Sequence, residues 1–342
     1  MQRMNCRAKT SLAYLTALVA LVAGSGATCQ RPLMTNPFAA PGPAAPQVLV
    51  DGASRDQLIA AVNQNSARIQ SISVTGASIT IPDTLGLPIL SGNIAAERPG
   101  RFRLTAGTAV TGQEIDIGSN DELFWMWVRR NQPPAVYFCR HHQFANSNIR
   151  QVMPIEPSWL LAALGMVDID PNPASVYGGP TPRRDGKVEL RTWLASASGN
   201  LPRVLVIDSR RAWVTEQYVY DASGKTLLAS AVAESHRYYP AEQVSLPERL
   251  SIRLPTAGLA FKIDLGAVAI NRLASDPRQL WTIPTLEGYP QYDLGGAIPG
   301  TPLPGRLQAT PLPITAQPGP TDVVPATYSP NLAPAGGDYF VR

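Results

Sequence analysis

The sequence has few of the residue patterns that support enzyme chemistry. It contains only three cysteines and three histidines in 342 residues, and it has no HExxH, paired CxxC, P-loop or strand-linked GxGxxG motif. The GxSxG elbow of serine hydrolases is also absent from the chain after its N-terminal leader. Charged residues make up only 16% of the chain and hydrophobic residues 44%, which excludes a coiled coil and wholesale disorder. We therefore predict a folded protein that is not an enzyme and needs no cofactor or metal.

The positions of the positive charges argue against a nucleic-acid partner. The formal charge is +4, yet residues 1–28 carry Arg3, Arg7 and Lys9 and no acidic residue. Removing these three cations leaves only +1 for residues 29–342. Such a small excess predicts no nucleic-acid partner.

The N-terminus has the pattern of a secretory signal peptide. Its three cations precede an uncharged apolar run, Ser11 to Ala23, which is followed by small residues, Gly24 to Ala27. The apolar run is shorter than the about 20 residues that a membrane-spanning helix needs. We predict that residues 1–28 are a signal peptide and that the protein is exported to a bacterial cell envelope.

Two cleavage sites compete at the end of this signal. Ser25 to Ala27 suits ordinary cleavage before Thr28, whereas Cys29 suits a lipoprotein whose cysteine is acylated. We favour acylation of Cys29, because residues 29–50 are rich in proline and alanine and suit a tether that lifts a domain off a membrane. The alternative is a disulfide between Cys29 and Cys139, the two cysteines that remain after export.

Residues 51–283 predict one sheet-rich domain that begins with a helix. Apolar residues from Leu58 to Ile72 follow a helical spacing, with Ser54 as the cap. After that the period changes to two, which is typical of strands. Asp121 to Val128 is apolar on both faces, so we predict a central strand that is covered on both sides. Asp221 to Gly224 predicts a hairpin turn.

One short helix interrupts the strands. Pro157 marks its first turn and Gly165 its end. Because it is apolar on almost every side, it must be buried in a core or lie against an apolar ligand.

The chain ends in a proline-rich segment. Twelve prolines occur among the 59 residues from Pro284 to Arg342, which predicts an extended, partly disordered tail with Glu287 to Leu294 docked on the domain.

Two groups of polar residues resemble sites. Cys139 and His141 share a strand face, yet no acidic residue lies near them in the sequence, and the adjacent His141 and His142 point to opposite faces. Asp168 and Asp170 lack the further ligands and the glycine of a calcium loop. We interpret the first group as a buried thiol beside a surface histidine and the second as a solvated loop.

The order of the elements resembles the LolA/LolB superfamily of periplasmic lipoprotein carriers and receptors, whose relatives include mycobacterial lipid-transport lipoproteins. The resemblance covers residues 51–272. The matching stretches are the helix Leu58 to Ile72, the segment Gly92 to Arg103 with its Arg-Pro-x-x-Phe ending, Asp121 to Trp125 with Glu122 in place of the usual glycine, the lid-like helix Pro157 to Gly165, and the hairpin Tyr220 to Gly224.

The resemblance implies an α+β fold in which an incomplete antiparallel β-barrel, or half-barrel, wraps over a few helices. It implies an apolar cavity for acyl chains between the sheet and the helices. Arg98 aligns with the family arginine that latches the lid. Gln30, in place of Asp after the acylated cysteine, favours the outer membrane by family analogy.

We therefore expect a non-enzymatic envelope lipoprotein that binds lipid or lipoprotein acyl chains as a carrier or receptor. Because successive strand residues point to opposite faces, either Phe124 and Met126 or Trp125 and Trp127 can face the cavity, but not both pairs. The alternative is an anchored envelope sensor or scaffold that has the same fold and binds a protein partner through its proline-rich tail. The expected cavity residues are Phe102, Phe124, Trp125, Met126, Trp127, Trp159, Leu160 and Leu164.

Overall fold

The computed structural model describes residues 43–81, 89–151, 153–197 and 199–295. The predictions for the signal peptide, for Cys29 and for the tail beyond residue 295 lie outside the described residues. No helix in the described part of the chain is long and apolar enough to cross a membrane.

The described residues form three short α-helices and fifteen strands. The helices are α1 (Arg55–Ala67), α2 (Trp159–Ala163) and α3 (Pro277–Leu280). The strands are β1 (Ser71–Thr80), β2 (Leu90–Glu97), β3 (Arg101–Thr108), β4 (Gly112–Ser119), β5 (Leu123–Val128), β6 (Val136–Arg140), β7 (Val176–Pro182), β8 (Lys187–Ser196), β9 (Gly199–Asp208), β10 (Val214–Tyr220), β11 (Leu227–Tyr239), β12 (Val244–Leu254), β13 (Leu259–Asp264), β14 (Ala267–Ile270) and β15 (Gln291–Asp293).

All fifteen strands belong to one sheet, in the order β15-β6-β5-β4-β3-β2-β1-β13-β12-β11-β10-β9-β8-β7, with β14 beside β1. Every pairing is antiparallel except that of β15 with β6. The two outermost strands, β15 and β7, do not pair with each other, so the sheet stays open. The predicted fold class, an incomplete antiparallel barrel with a few helices, is confirmed by this topology.

Helix α1 begins where the sequence predicts and ends earlier. The Ser54 hydroxyl accepts a hydrogen bond from the Gln57 backbone N–H at 3.3 Å, and the Gln57 side chain accepts one from the Ser54 N–H at 2.9 Å. The helix ends at Ala67, five residues before Ile72. Asn271 explains this end, because its side chain binds both the Arg68 carbonyl and the Gln70 N–H. The apolar spacing continues past the helix only because Ile69 and Ile72 enter the same core.

The main core lies between the sheet and α2, and we name it the interior cluster. Its sheet residues lie on β1 to β3 and on β9 to β14, and α2 fills the middle. A second group, the helix cluster, joins α1 to β8 and β9 through Leu58, Val62, Leu190 and Leu205. The residues of the interior cluster used below are Ile94, Phe102, Leu104, Trp159, Leu161, Leu164, Leu201, Leu246 and Ile252.

Strand β5 is covered on both faces, as its sequence predicts. On one face Phe124 packs with Tyr137, Cys139 and Phe144. On the other face Trp125 and Trp127 pack against residues 283–289. The strand nevertheless lies third from the edge of the sheet, because the second cover is the C-terminal part of the chain and not another layer of strands.

Candidate functional site

The strand register shows which side of β5 faces the interior. Ile117 of β4 packs against the interior cluster and pairs with Met126. Since paired residues of neighbouring strands share a face, Phe124 and Met126 point to the concave side of the sheet. Trp125 and Trp127 point to the convex side.

The eight expected cavity residues therefore divide between the two sides of the sheet. Phe124 and Met126 are buried on the concave side, where Phe124 packs in a separate cluster with Cys139 and Phe144. Phe102, Trp159 and Leu164 belong to the interior cluster, and Leu160 packs against it. Trp125 and Trp127 lie away from the concave side, under the C-terminal segment.

Trp125 is held on the convex side by a polar network. Its indole N–H donates to an Asp116 carboxylate oxygen at 3.0 Å, and the Arg103 guanidinium binds the same carboxylate at 2.8 Å. Arg103 also lies over the Trp125 ring, 5.7 Å from its centroid. Gly118 explains why the ring fits there, because a Cβ at this position would lie 2.1 Å from a Trp125 ring atom.

The short helix α2 lies where the sequence places a lid-like helix, and it fills the concavity. Trp159, Leu161 and Leu164 are each 3–4% exposed. The helix ends at Ala163, and two residues later Gly165 has a φ of +102°, which favours glycine. A side chain there would also meet Leu246 and Pro247 within 3 Å. In this structure the apolar space beneath the sheet is thus occupied by the side chains of α2.

Few polar bonds hold α2 to the sheet. Gln217 of β10 donates from its amide nitrogen to the Ala162 carbonyl at 2.7 Å. Before the helix, the Glu156 carboxylate accepts the Ala197 backbone N–H at 2.6 Å. The indole N–H of Trp159 is buried and has no hydrogen-bond partner among the described residues. An unpaired N–H in an apolar core carries a desolvation cost. The Trp159 indole N–H therefore destabilises the position that α2 occupies here.

Arg98 joins the end of α1 to the segment that follows α2. Its guanidinium binds both carboxylate oxygens of Asp168. It also donates to the Ser66 hydroxyl at 2.6 Å and to the Ile69 carbonyl at 2.9 Å. Asp168 lies three residues after Gly165, so this bidentate pair ties the exit of α2 to α1. We name the pair of Arg98 and Asp168 the latch.

The residues beside the latch fix the same segment further. The Asn63 side chain makes two hydrogen bonds with the backbone of Ile169, one from its nitrogen at 2.7 Å and one to its oxygen at 2.9 Å. Asn65, two residues on, makes the same pair of bonds with the backbone of Ser245 in β12. Helix α1 is therefore bonded through its side chains to the α2 exit on one side and to the sheet on the other.

A polar pocket of about 530 Å³ opens beside the latch. Within it Arg101 bonds to Glu97 at 2.9 Å and to Asp121. The Arg101 hydrogen bond holds the pKa of the Asp121 carboxyl below its usual range, and the same carboxylate raises the pKa of Arg101. The pocket is charged and lies outside the interior cluster, so it differs in chemistry from the predicted acyl cavity. Its lining residues are Gln70, Ser71, Glu97, Arg98, Pro99, Arg101 and Asp121.

The residues weighed as catalytic or metal ligands have structural partners. Cys139 is a fully buried free thiol, and burial raises its pKa. His141 begins a 3₁₀ helix instead of continuing the strand, and its Nε2 lies 2.8 Å from the Asn120 carbonyl oxygen. Asp168 binds Arg98, while Asp170 accepts the Ser175 hydroxyl. Across the described ranges, no group of three or more potential ligand side chains could hold a metal ion.

Sequence reasoning missed three polar residues around α2. Asp168, which it assigned to a solvated loop, is the partner of Arg98. Arg203 and Gln217 were not foreseen as internal polar groups. Arg203 is the one charged residue between Leu201 and Ile207, whereas Gln217 follows Thr215 and Glu216 and does not stand out. Their only signal is the strand period, which places both on the concave face.

Comparisons with known proteins find solved structures of similar fold and low sequence identity. No protein-family model and no curated protein matches the chain. Among solved structures, a LolA superfamily protein from Nitrosomonas europaea is 12% identical with a TM-score of 0.39, covering 66% of this chain and 97% of its own.

Two further structures are similar in the same way. A putative outer membrane lipoprotein-sorting protein domain from Vibrio parahaemolyticus is 7% identical with a TM-score of 0.38, covering 65% of this chain and 95% of its own. The lipoprotein LppX from Mycobacterium tuberculosis is 10% identical with a TM-score of 0.22, covering 65% of this chain and all of its own. These are the groups of proteins that the sequence motifs resemble, and at such identities the likeness concerns the fold alone.

Proposed function

We propose that this protein is a non-enzymatic lipoprotein of the cell envelope that binds the acyl chains of a lipid or lipoprotein beneath its open sheet. The observation that carries the proposal is α2, an apolar helix of five residues that fills the concavity and is attached by few polar bonds. A short segment that is buried but held by few polar bonds is suited to leave the concavity and return to it.

Binding requires α2 to move, because its side chains occupy the apolar space. Burying an acyl chain of ~16 carbons at ~0.8 kcal/mol per CH₂ contributes roughly 12 kcal/mol before ordering costs. The chain would replace the contacts of Trp159, Leu161 and Leu164 with the sheet, so the closed and the loaded states differ by a small free energy. A carrier or receptor needs this balance to release what it binds.

The proposed acyl contacts are the concave-side residues of the expected set. Phe102, Phe124 and Met126 line the sheet, and Trp159, Leu160 and Leu164 form the movable side. Trp125 and Trp127 support β5 from the convex side. Arg98, through its pair with Asp168, is the proposed lid latch.

Anchoring at Cys29 belongs to the proposal as well. An acylated Cys29 followed by a tether up to residue 50 would hold the domain at the periplasmic face of a membrane, and Gln30 favours the outer membrane. The mass of the mature N-terminus tests this, because an acylated Cys29 and a free Thr28 differ in mass. A mature chain that begins with an unmodified Thr28 would remove the anchor.

A disulfide across the lid tests the central claim. A Cβ built on Gly100 lies 4.0 Å from the Cβ of Ser158, which is within the Cβ–Cβ range of natural disulfides. We expect the double variant Gly100→Cys/Ser158→Cys, in a Cys139→Ser background, to bind no fluorescent fatty acid when oxidised. Reduction should restore uptake to the level of the background protein.

The single variants Gly100→Cys and Ser158→Cys serve as controls, since neither can form the bridge. Equal uptake by the oxidised and reduced double variant would contradict movement of α2. Native mass spectrometry of the protein isolated from its own envelope provides an independent test, because it detects any acyl ligand that co-purifies.

The alternative role as an anchored sensor or scaffold makes a different prediction. Its proposed partner is an envelope protein that binds the proline-rich tail. Deleting residues 296–342 should leave acyl binding intact if the domain is a carrier or receptor, and should abolish partner capture if the tail is the functional part.

A further inference from the structure

One arginine is buried inside the concave face of the sheet. Arg203 of β9 is 3% exposed. Its Nε donates to the Thr192 hydroxyl at 2.9 Å, and its Nη2 donates to the Asp168 backbone carbonyl at 3.1 Å. Both acceptors are neutral.

No carboxylate in the described ranges lies within ion-pair distance of this guanidinium. The acid that interacts with it electrostatically is Asp168, whose carboxylate binds Arg98 instead. The Asp168 carboxylate thus binds Arg98, and the buried Arg203 is bonded only to the backbone oxygen of Asp168. Burial lowers the pKa of Arg203 to about 10, so the group still carries its charge at neutral pH. A buried charge without a counter-ion is costly, and most proteins avoid it.

A second unsatisfied polar group lies next to Arg203. Gln217 of β10 pairs with Leu205, and Arg203 pairs with Val219, so the two side chains are diagonal neighbours on the concave face. Gln217 is 4% exposed, and its amide oxygen has no partner in the described part of the chain.

The donors of both residues bind the α2 segment. Gln217 binds the Ala162 carbonyl, and Arg203 binds the Asp168 carbonyl. If α2 moves to admit a ligand, both donors lose these acceptors while the sheet still holds them inside.

The position of this group suits one end of an amphiphile. Leu201, two residues before Arg203 on the same face, belongs to the interior cluster. Leu205, two residues after it, belongs to the helix cluster. Arg203 therefore lies at the end of the apolar interior, where the polar head of a molecule would come to rest if its chain filled that interior.

We propose that Arg203, with Gln217 and Thr192, forms an oxyanion subsite that binds the carboxylate or phosphate of an acyl ligand once α2 has moved. This inference rests on the proposed acyl binding and names the ligand class, an anionic amphiphile. The guanidinium would supply the charge, and the Gln217 amide and the Thr192 hydroxyl would supply further donors.

The test compares two probes with the same acyl chain, one with an anionic and one with a neutral head group. Parinaric acid and its methyl ester are titrated into the full mature protein at a pH where the free acid is ionised. We expect the wild-type protein to bind the acid about tenfold more tightly than the ester, since a hydrogen bond to a charged group contributes that much or more. Hexadecyl phosphate and hexadecanoic acid, as competitors of the bound probe, distinguish a phosphate from a carboxylate preference.

Variants then assign the preference to Arg203. In Arg203→Gln the ratio of acid to ester affinity should fall toward one, and Arg203→Lys should keep part of it. Arg253→Gln is the matched control, because Arg253 is exposed on the opposite face of β12 and its loss should leave the ratio unchanged.

Each outcome decides between the two proposals. Equal wild-type affinity for acid and ester overturns the oxyanion subsite and leaves acyl binding supported, and a ratio that survives in Arg203→Gln overturns the assignment to Arg203. If wild-type protein binds neither probe, the proposed function itself fails. Should Arg203→Gln not fold, the wild-type comparison and Arg203→Lys still decide.

Discussion

The guanidinium of Arg98 binds both carboxylate oxygens of Asp168, seventy residues further along the chain. This contact joins the hairpin between β2 and β3 to the segment that leaves α2. Under the proposed function, this ion pair would oppose movement of α2 from the side of α1.

We predict that Arg98→Gln loosens α2 with little loss of global stability. The Asp168 side chain is 66% exposed, and ion pairs at such positions contribute about 1 kcal/mol or less to the free energy of unfolding. Amide exchange in residues 159–169 should increase, and the rate of fatty-acid uptake should rise. Hydrogen exchange with mass spectrometry measures the first effect and stopped-flow fluorescence the second.

Arg249→Gln is the control for this variant, because Arg249 pairs with Asp264 on the faces of β12 and β13 that point away from the interior cluster. Unchanged exchange at residues 159–169 in Arg98→Gln would show that the latch does not hold the lid.

We predict that Gly165→Ala destabilises the closed position of α2. A Cβ at Gly165 would lie 2.8 Å from the Pro247 Cδ and 2.9 Å from the Leu246 Cδ2, at a positive φ. The overlap and the backbone strain together should lower the free energy of unfolding by about 2–4 kcal/mol. Urea denaturation measures this change.

Gly186→Ala separates the two causes. Gly186 also has a positive φ, yet a Cβ there would meet nothing within 4 Å. Gly186→Ala should therefore lower the free energy of unfolding by only about 1 kcal/mol, which is the contribution of backbone strain. An equal loss in both variants would mean that contact with β12 does not hold α2.

We predict that the segment 277–295 is part of the folded domain. Arg103 donates to the carbonyls of Gln279 and Leu280, and the rings of Trp127 and Tyr289 lie edge to face at 5.2 Å. Ending the chain at Asp276 would uncover Trp125 and Trp127 and should cost at least about 3 kcal/mol of stability. Thermal denaturation followed by circular dichroism measures the loss.

Ending the chain after Gly295 provides the control, since it keeps every one of these contacts. Equal melting temperatures for the two truncated proteins would contradict a structural role for residues 277–295.

We predict that His236 makes the protein less stable in acid. Its ring stacks on Trp213 with centroids 4.7 Å apart, and burial lowers its pKa to about 4. Between pH 6.5 and pH 4 the unfolded chain binds a proton at this histidine that the folded protein does not bind. Stability is therefore lost as the pH falls through this window, by up to about 3 kcal/mol.

His236→Phe keeps a ring on Trp213 and removes the titration. Its free energy of unfolding should depend less on pH between 6.5 and 4 than that of the wild-type protein. His142→Gln, at an exposed histidine, should behave as wild type. Parallel pH profiles of the His236→Phe and wild-type proteins would contradict the prediction.

The sequence predicted the features that local periodicity controls. The alternation of β3, the Ser54 cap of α1 and the hairpin at Asp221 to Gly224 all depend on residues close together in the chain, and the structure contains them. The two apolar faces of β5 were also apparent. What covers the second face was only partly predictable, because the tail around Glu287 to Leu294 has no strand or helix period.

Features that depend on distant residues were not predictable in the same way. Helix α1 stops at Ala67 because Asn271, about two hundred residues away, binds the backbone of Arg68 and Gln70 directly after it. Asp168 looked like part of a solvated loop, since nothing near it in the sequence indicates that Arg98 will reach it. Arg203 is a single cation in an apolar strand. Only the folded arrangement of the segment after α2, where the Asp168 carboxylate binds Arg98, shows that the Arg203 charge has no counter-ion.

The parallel pairing of β15 with β6 has a consequence for how the molecule avoids self-association. An open sheet has two edges, and each presents unpaired backbone groups to other chains. Residues 291–293 of the same chain occupy one edge. At the other edge β7 carries Pro180 and Pro182, which have no N–H to offer a new strand. The short β15 and the prolines of β7 therefore leave few backbone groups at either edge for a strand of another copy to pair with.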